Sequence, residues 1–197
     1  MAVNVAISGF GRIGRLVLRS IIESKRKDIN VVAINDLAPV DTNAFLLAND
    51  TVHGPLNEKI SVRKNKMTIG RKTISVLNER DPQKLPWKKM KIDVALECTG
   101  LFTSKEKASM HIKAGAKKVL VSAPCSEADK TIVYGVNEQE ITHNDLVVSN
   151  ASCTTNCLAP VVKVLHEKFG VVHGYMTTIH AFTGDQSVLD TFHPDLR

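Results

Sequence analysis

Two stretches of this chain carry residue types at spacings that can do chemistry. In Ser149-Asn-Ala-Ser-Cys153-Thr-Thr-Asn-Cys157 a cysteine is flanked by small hydroxyl and amide residues and followed by helix-forming sequence. A thiol at a helix N-terminus is favoured as the thiolate by the free amides and the dipole there, and a nearby imidazole lowers its pKa further. Cys157 lies one turn deeper on the same helical face and reads as a buried small hydrophobe. His180 follows an apolar run, residues 171–179, that reads as a long strand, so its ring can project from a strand end into a cleft beside Cys153. Spacing alone does not single it out from the seven histidines, and a Cys153/His180 pair stands as a hypothesis of nucleophile and base.

The second stretch is Gly9-Phe-Gly11-Arg-Ile-Gly14, which follows an apolar, strand-like run and opens a helical pattern. In that context the first glycine permits a tight turn and the second lets a pyrophosphate approach the backbone. The third lets helix and strand pack closely, and the helix N-terminus supplies amides and a positive dipole. Alone the hexapeptide also fits simple packing. Asp36, at the end of the next strand, strengthens the ligand reading: its carboxylate can accept from ribose hydroxyls and repels a 2′-phosphate, which favours NAD over NADP. The rival role for Asp36 is to cap the turn that follows it.

These residues need elements to hold them. Residues 3–8 are apolar and β-branched, residues 12–24 carry Ile13, Leu16, Val17 and Ile21 at helical spacing, and residues 30–34 are again strand-like. This predicts a βαβ unit. Residues 39–48 read as a short helix, and residues 60–78 as antiparallel strands turning at Asn65-Lys66 and Gly70-Arg71, which resemble an insertion. The alternation then resumes: a strand at 92–98, a capping box Thr103-x-x-Glu106 opening a helix to residue 114, and a strand at 118–122. Short β segments at 131–134 and 146–149 precede a helix from Cys153 to about residue 169.

Composition sets the bounds. At 197 residues the chain holds one large domain, or one domain and part of another, and its 43% hydrophobic and 23% charged residues are ordinary for a soluble globular protein. No run approaches a membrane span, and the N-terminus carries no basic leader, which predicts a cytoplasmic protein with no membrane partner. The four cysteines lack CxxC spacing and read as free thiols, with no disulfide and no metal site. The net charge of +6 is spread over many short basic clusters, so it argues against a nucleic-acid partner while suiting anionic small molecules.

Along its whole length the chain resembles the phosphorylating glyceraldehyde-3-phosphate dehydrogenases. The resemblance rests on Gly-Phe-Gly-Arg-Ile-Gly-Arg15, Ile-Asn-Asp36, Glu-Arg-Asp81, Glu-Cys-Thr-Gly100, Ser122-Ala-Pro, the block around Cys153 through Pro160, and His180-Ala-Phe-Thr-Gly-Asp-Gln186, all in the family's order. It implies an α/β fold: a Rossmann-type doubly wound NAD-binding domain over residues 1–151, then the start of an α+β catalytic domain over residues 152–197. It implies NAD as cofactor, glyceraldehyde 3-phosphate and inorganic phosphate as substrates, and a homotetramer at full length. Cys153 would be the nucleophile and His180 its base. Arg12 and Ile13 would meet the pyrophosphate through backbone amides, Asp36 the adenosine ribose, and Arg80, Thr99 and Ser122 the rest of the cofactor. Ser152, Thr154 and Thr183 would line the phosphate subsites.

One departure is Thr191-Phe192, where many NAD-specific members carry Leu-Pro. The resemblance also calls for a second domain as large as the first, so the sequence reads as part of a longer protein. Two rival functions remain: an erythrose-4-phosphate dehydrogenase, which Thr183 and Gly184 disfavour, and a non-catalytic binding module that kept the motifs by descent.

Overall fold

A computed structural model describes residues 2–181 and 183. β1 (Val3–Ser8) loses its exposure toward its C-terminal end, with Ala6 and Ile7 fully buried, as a central strand covered on both faces requires. α1 (Arg12–Glu23) packs Leu18 against it and leads into β2 (Ile29–Asn35), which pairs parallel with β1. Ile13, expected on the apolar face, is exposed instead: the buried positions of α1 are Gly14, Leu18 and Arg19.

α2 (Val40–Ala48) is followed by a two-stranded ribbon, β3 (Asn49–Asp50) and β4 (Gly54–Pro55). Arg19 ties this ribbon to α1. Its buried guanidinium donates to the carbonyls of His53, Gly54 and Pro55 and to the Glu23 carboxylate, so the charge is satisfied on every side.

β5 (Ile60–Arg63), β6 (Lys66–Ile69) and β7 (Lys72–Leu77) form an antiparallel meander. Its first turn is Lys64-Asn65, one residue earlier than expected, with Lys64 at φ 52°; its second is Gly70-Arg71. The meander is not a separate insertion. β7 pairs parallel with β2 and buries Ile74 and Val76 in the main core, so β6 and β5 simply extend the sheet.

α3 (Trp87–Met90) and β8 (Val94–Glu97) return the chain to the other side of β1. The expected helix to residue 114 forms as two turns, α4 (Lys105–Ala108) and α5 (Met110–Lys113), broken at Ser109, whose hydroxyl donates to the Lys105 carbonyl. Its N-cap is Ser104 rather than Thr103; the Ser104 hydroxyl accepts from the Lys107 amide. β9 (Lys118–Val121), β10 (Lys130–Thr131) and β11 (Val147–Ser149) complete the sheet, in the order β10-β11-β9-β8-β1-β2-β7-β6-β5. All neighbours from β10 to β7 are parallel. The chain winds outward from β1 in both directions, so the switch point, where a doubly wound sheet opens its crevice, lies between the C-terminal ends of β1 and β8.

α6 (Cys153–Phe169) then leaves the sheet and ends at Gly170 in the left-handed conformation, φ 71°. Lys163 fixes its middle to the domain by donating to the carbonyls of Gly135 and Val136. None of its residues is buried, and Val161, Val164, Leu165 and Phe169 are exposed. The strand expected over residues 171–179 does not form. Its residues are exposed and irregular, because a strand needs a hydrogen-bonding neighbour and no described strand lies beside them. No helix among the described residues is long and apolar enough to cross a membrane. Thr191, Phe192 and Gly184 lie outside the described residues.

Candidate active site

The crevice at the switch point is a cleft of about 340 Å³ lined by Ser8, Gly9, Gly11, Asp36, Arg80 and Thr99, among others. Each glycine of the turn has a different physical reason. Gly9 sits at φ 86°, and a Cβ there would lie 2.6 Å from the Thr99 nitrogen, so β1 and β8 meet only through bare backbone. A Cβ on Gly14 would lie 2.1 Å from the Gly9 carbonyl oxygen, which is the helix-to-strand approach expected of the third glycine. Gly11 is different: a Cβ there meets no atom within 4 Å. No protein contact demands this glycine, so the space it leaves open, at the head of a helix that no side chain caps, fits a phosphate group.

Asp36 stands at the end of β2, inside the cleft. Its Oδ2 accepts from the Phe10 amide at 2.7 Å and its Oδ1 from the Ala38 amide at 2.8 Å, so it both braces the glycine turn and caps its own. Each oxygen retains a lone pair for a ligand hydroxyl. Beneath it Asn35, buried, exchanges two hydrogen bonds with the backbone of Glu79 and so sets the Glu79-Arg80 wall. Arg80 is exposed on that wall. Arg12 turns its guanidinium away to Asp50, 3.0 Å distant, and Ile13 is exposed; neither is among the residues lining the cleft.

Thr99 lines the cleft, but its polar groups face inward. Its amide and hydroxyl both donate to Glu97 Oε1, and the hydroxyl accepts from the Leu101 amide, so the cleft meets its carbon atoms and carbonyl. Ser122 follows β9, with its amide donating to the Glu97 carbonyl and its hydroxyl near the Cys98 thiol; it does not line the cleft. Burial pushes the Cys98 thiol up to about 11, which leaves it protonated and unreactive.

Ser152 is the N-cap of α6, its hydroxyl accepting from the Thr155 amide at 3.0 Å, which places Cys153 in the first helical position. The His180 Nε2 lies 3.1 Å from the Cys153 Sγ. Ala181 supplies a carbonyl 2.5 Å from Nδ1, so Nδ1 holds the ring proton and Nε2 presents its lone pair to the thiol. The His180 hydrogen bond lowers the Cys153 pKa, aided by the hydroxyl and amide of Thr154 and opposed by burial.

His180 therefore reaches Cys153 without the strand that was expected to carry it. The surrounding cleft is lined by Thr154, Cys157, Leu158, Val161 and residues 176–181. Cys157 is exposed on its wall rather than buried: residues 176–181 border the cleft without covering that face of α6. Thr183 is exposed and is not among the residues lining this cleft. All four cysteines are free, and no cluster of three or more metal-ligating side chains occurs among the described residues.

Sequence reasoning gave no role to Asn35, Glu97, Phe102 or His111. The available signal was an acidic or amide residue closing an otherwise apolar buried strand, as Asn35 and Glu97 do.

A cleft at the switch point of a doubly wound parallel sheet, with open space at the second glycine, marks the dinucleotide-binding folds. Comparison with known proteins carries this to a family. Residues 3–105 match the family described as "Glyceraldehyde 3-phosphate dehydrogenase, NAD binding domain", and residues 152–197 match its C-terminal domain. The chain belongs to the glyceraldehyde 3-phosphate dehydrogenase family.

Over its full length it is 60% identical to the glyceraldehyde-3-phosphate dehydrogenase of Xanthobacter flavus and 52% identical to that of Geobacillus stearothermophilus. Over 98% of its length it is 52% identical to the enzyme of Thermotoga maritima. In each case it spans 58% of the relative's length.

Proposed function

We propose that the protein oxidises and phosphorylates D-glyceraldehyde 3-phosphate with NAD, giving 1,3-bisphosphoglycerate, as the glycolytic enzyme does. The observation that carries this reading is the 3.1 Å contact between the Cys153 Sγ and the His180 Nε2 at the head of α6. Family membership and the open turn at Gly11 support NAD as cofactor. Gly9, Gly11, Gly14 and the amides of Arg12 and Ile13 would hold its pyrophosphate, and Asp36 its ribose, with Arg80 and Thr99 around it and Ser122 behind the Cys98 side of the wall. The domain division proposed is residues 1–151 for the cofactor and residues 152–197 for the start of the catalytic part.

The chemistry follows from the pair. Nε2 of His180 takes the thiol proton, the Cys153 sulfur attacks the aldehyde carbon, and Nε2 returns the proton to the carbonyl oxygen, giving a neutral thiohemiacetal and a free base. When bound, the nicotinamide supplies a hydride acceptor. His180 takes the hydroxyl proton as hydride departs, leaving a thioester on Cys153. Phosphate oxygen then attacks the thioester carbon and the sulfur leaves as thiolate, with the Cys153 amide and His180 stabilising the oxyanion. Ser152, Thr154 and Thr183 offer hydroxyl donors that bind phosphate groups without adding a competing charge. The full-length protein is taken to be a cytoplasmic homotetramer.

The test is NADH formation by the full-length protein with glyceraldehyde 3-phosphate, with and without inorganic phosphate. Phosphate-dependent NADH formation, with erythrose 4-phosphate a poorer substrate by kcat/KM, is the expected result. NAD binding without aldehyde-dependent reduction would leave only a binding module. For the cofactor, Asp36→Asn should lower the preference for NAD over NADP by about tenfold or more, equivalent to ~1.4 kcal/mol, because the charge that repels the 2′-phosphate is gone. Comparing the two dissociation constants checks it.

A further inference from the structure

Glu97, at the end of β8, is 1% exposed, and beside it His111 and Trp87 are fully buried. The proposed chemistry uses none of the three. Burying a carboxylate is costly unless every contact is a donor, and here each one is. Oε1 accepts from the Thr99 amide at 2.7 Å and from the Thr99 hydroxyl, and Oε2 faces the His111 Nε2 at 2.9 Å.

The hydrogen positions follow from Trp87. Its indole Nε1 can only donate, and it lies 3.0 Å from the His111 Nδ1. Nδ1 is therefore bare, Nε2 carries the ring proton, and that proton points at Glu97. Donation along Trp87–His111–Glu97–Thr99 thus converges on the Glu97 carboxylate, from Trp87 through His111 on the core side and from Thr99 on the side of the turn that walls the cleft. His111 also meets the edge of Phe102, at a centroid distance of 6.4 Å, and Phe102 lines the same cleft. The wall is held tightly because Gly9 and the Thr99 backbone are in van der Waals contact, so any shift of Thr99 moves the glycine turn.

We propose that Trp87, His111 and Glu97 form a buried positioning relay that fixes the Thr99–Phe102 wall of the cofactor cleft and so sets affinity for the dinucleotide. This rests on the NAD reading of that cleft. The relay binds nothing itself; Glu97 acts through Thr99, and His111 through Glu97 and Phe102.

The test is NAD affinity of the intact polypeptide by isothermal titration calorimetry for wild type, Glu97→Gln, Glu97→Gln/Trp87→Phe and, as a control, Met67→Ala, a fully buried site in β6. In Glu97→Gln the new NH₂ group faces a donor whichever way the amide sits: the Thr99 amide or the His111 Nε2–H. Its affinity should fall at least about tenfold, a change of ~1.4 kcal/mol, while Met67→Ala, with a comparable loss of Tm, stays within about twofold of wild type. Removing the indole donor frees His111 to move its proton to Nδ1 and accept from the glutamine, so the double variant should regain at least about threefold.

If Glu97→Gln binds NAD within twofold of wild type, or the double variant shows no recovery, the relay is refuted while the cofactor reading stands. A wild-type protein that does not bind NAD sinks both. Should Glu97→Gln fail to fold, ¹⁵N NMR of the wild-type imidazoles decides: Nε2-protonated His111 supports the relay, and Nδ1-protonated His111 overturns it.

Discussion

Cys153→Ser should lower kcat for aldehyde oxidation by about 10⁴-fold or more while leaving NAD affinity unchanged. A serine hydroxyl in the first position of α6 would keep the hydrogen bond to the His180 Nε2, but it is a far weaker acid than a thiol and a poor leaving group from the acyl intermediate. The cofactor cleft is lined by residues of β1, β2 and β8 and the segments after them, none of which contacts this side chain. Stopped-flow measurement of the first turnover alongside NAD titration separates the two effects. A serine variant that still oxidises the aldehyde at more than a tenth of the wild-type rate would refute the nucleophile assignment.

The second large effect falls on the glycine turn. Gly14→Ala places a methyl group 2.1 Å from the Gly9 carbonyl oxygen and 3.0 Å from the Ile7 Cγ2, where the only relief is for α1 to lift off β1. A loss of about 3 kcal/mol in stability is expected, together with loss of NAD binding. Gly11→Ala is the contrasting case. Its methyl group meets open space, so thermal stability should hold within a degree or so while NAD affinity falls, because the methyl occupies room left for a ligand. Calorimetry of both variants with and without NAD checks the pair; a stable, NAD-binding Gly14→Ala would contradict the close approach.

How much of this was readable in the sequence depends on whether local pattern or distant contact decides. The glycine turn, Asp36 at the end of β2 and Cys153 at the head of α6 are local: each follows from a strand-to-helix junction that periodicity and capping residues mark. The alternation of strands and helices was equally legible, since apolar runs alternate with helical ones, whereas the order of strands in the sheet was not. The edge meander was misread as an insertion because nothing local shows that β7 pairs with β2. Ile13 and Cys157 were misplaced for a related reason: which face of a helix is covered depends on its packing partner. Residues 171–179 have the apolar content of a strand, but strand formation depends on a neighbour that the described residues lack. Thr99 was identified as a cleft residue, yet its inward turn depends on Glu97, whose role only the three-dimensional packing of His111 and Trp87 reveals.

The account turns on the proximity of a single imidazole to a single thiol, and the rate of Cys153 alkylation by iodoacetamide as a function of pH tests it most directly. His180 holds the Cys153 pKa below its ordinary value, so thiolate, and with it the labelling rate, should persist below the ordinary thiol range and fall only as pH drops through the lowered value. The same sign applies to stability: the ionised thiol contributes above the ordinary thiol pKa and its contribution is lost on acidification through the folded value. Cys98, pushed up to about 11, is the internal reference and should stay unlabelled at neutral pH. Replacing His180 with Asn should move the Cys153 profile to higher pH and slow labelling at neutral pH. A Cys153 profile that rises only in the ordinary thiol range and is unchanged by His180→Asn would contradict the pairing on which the mechanism stands.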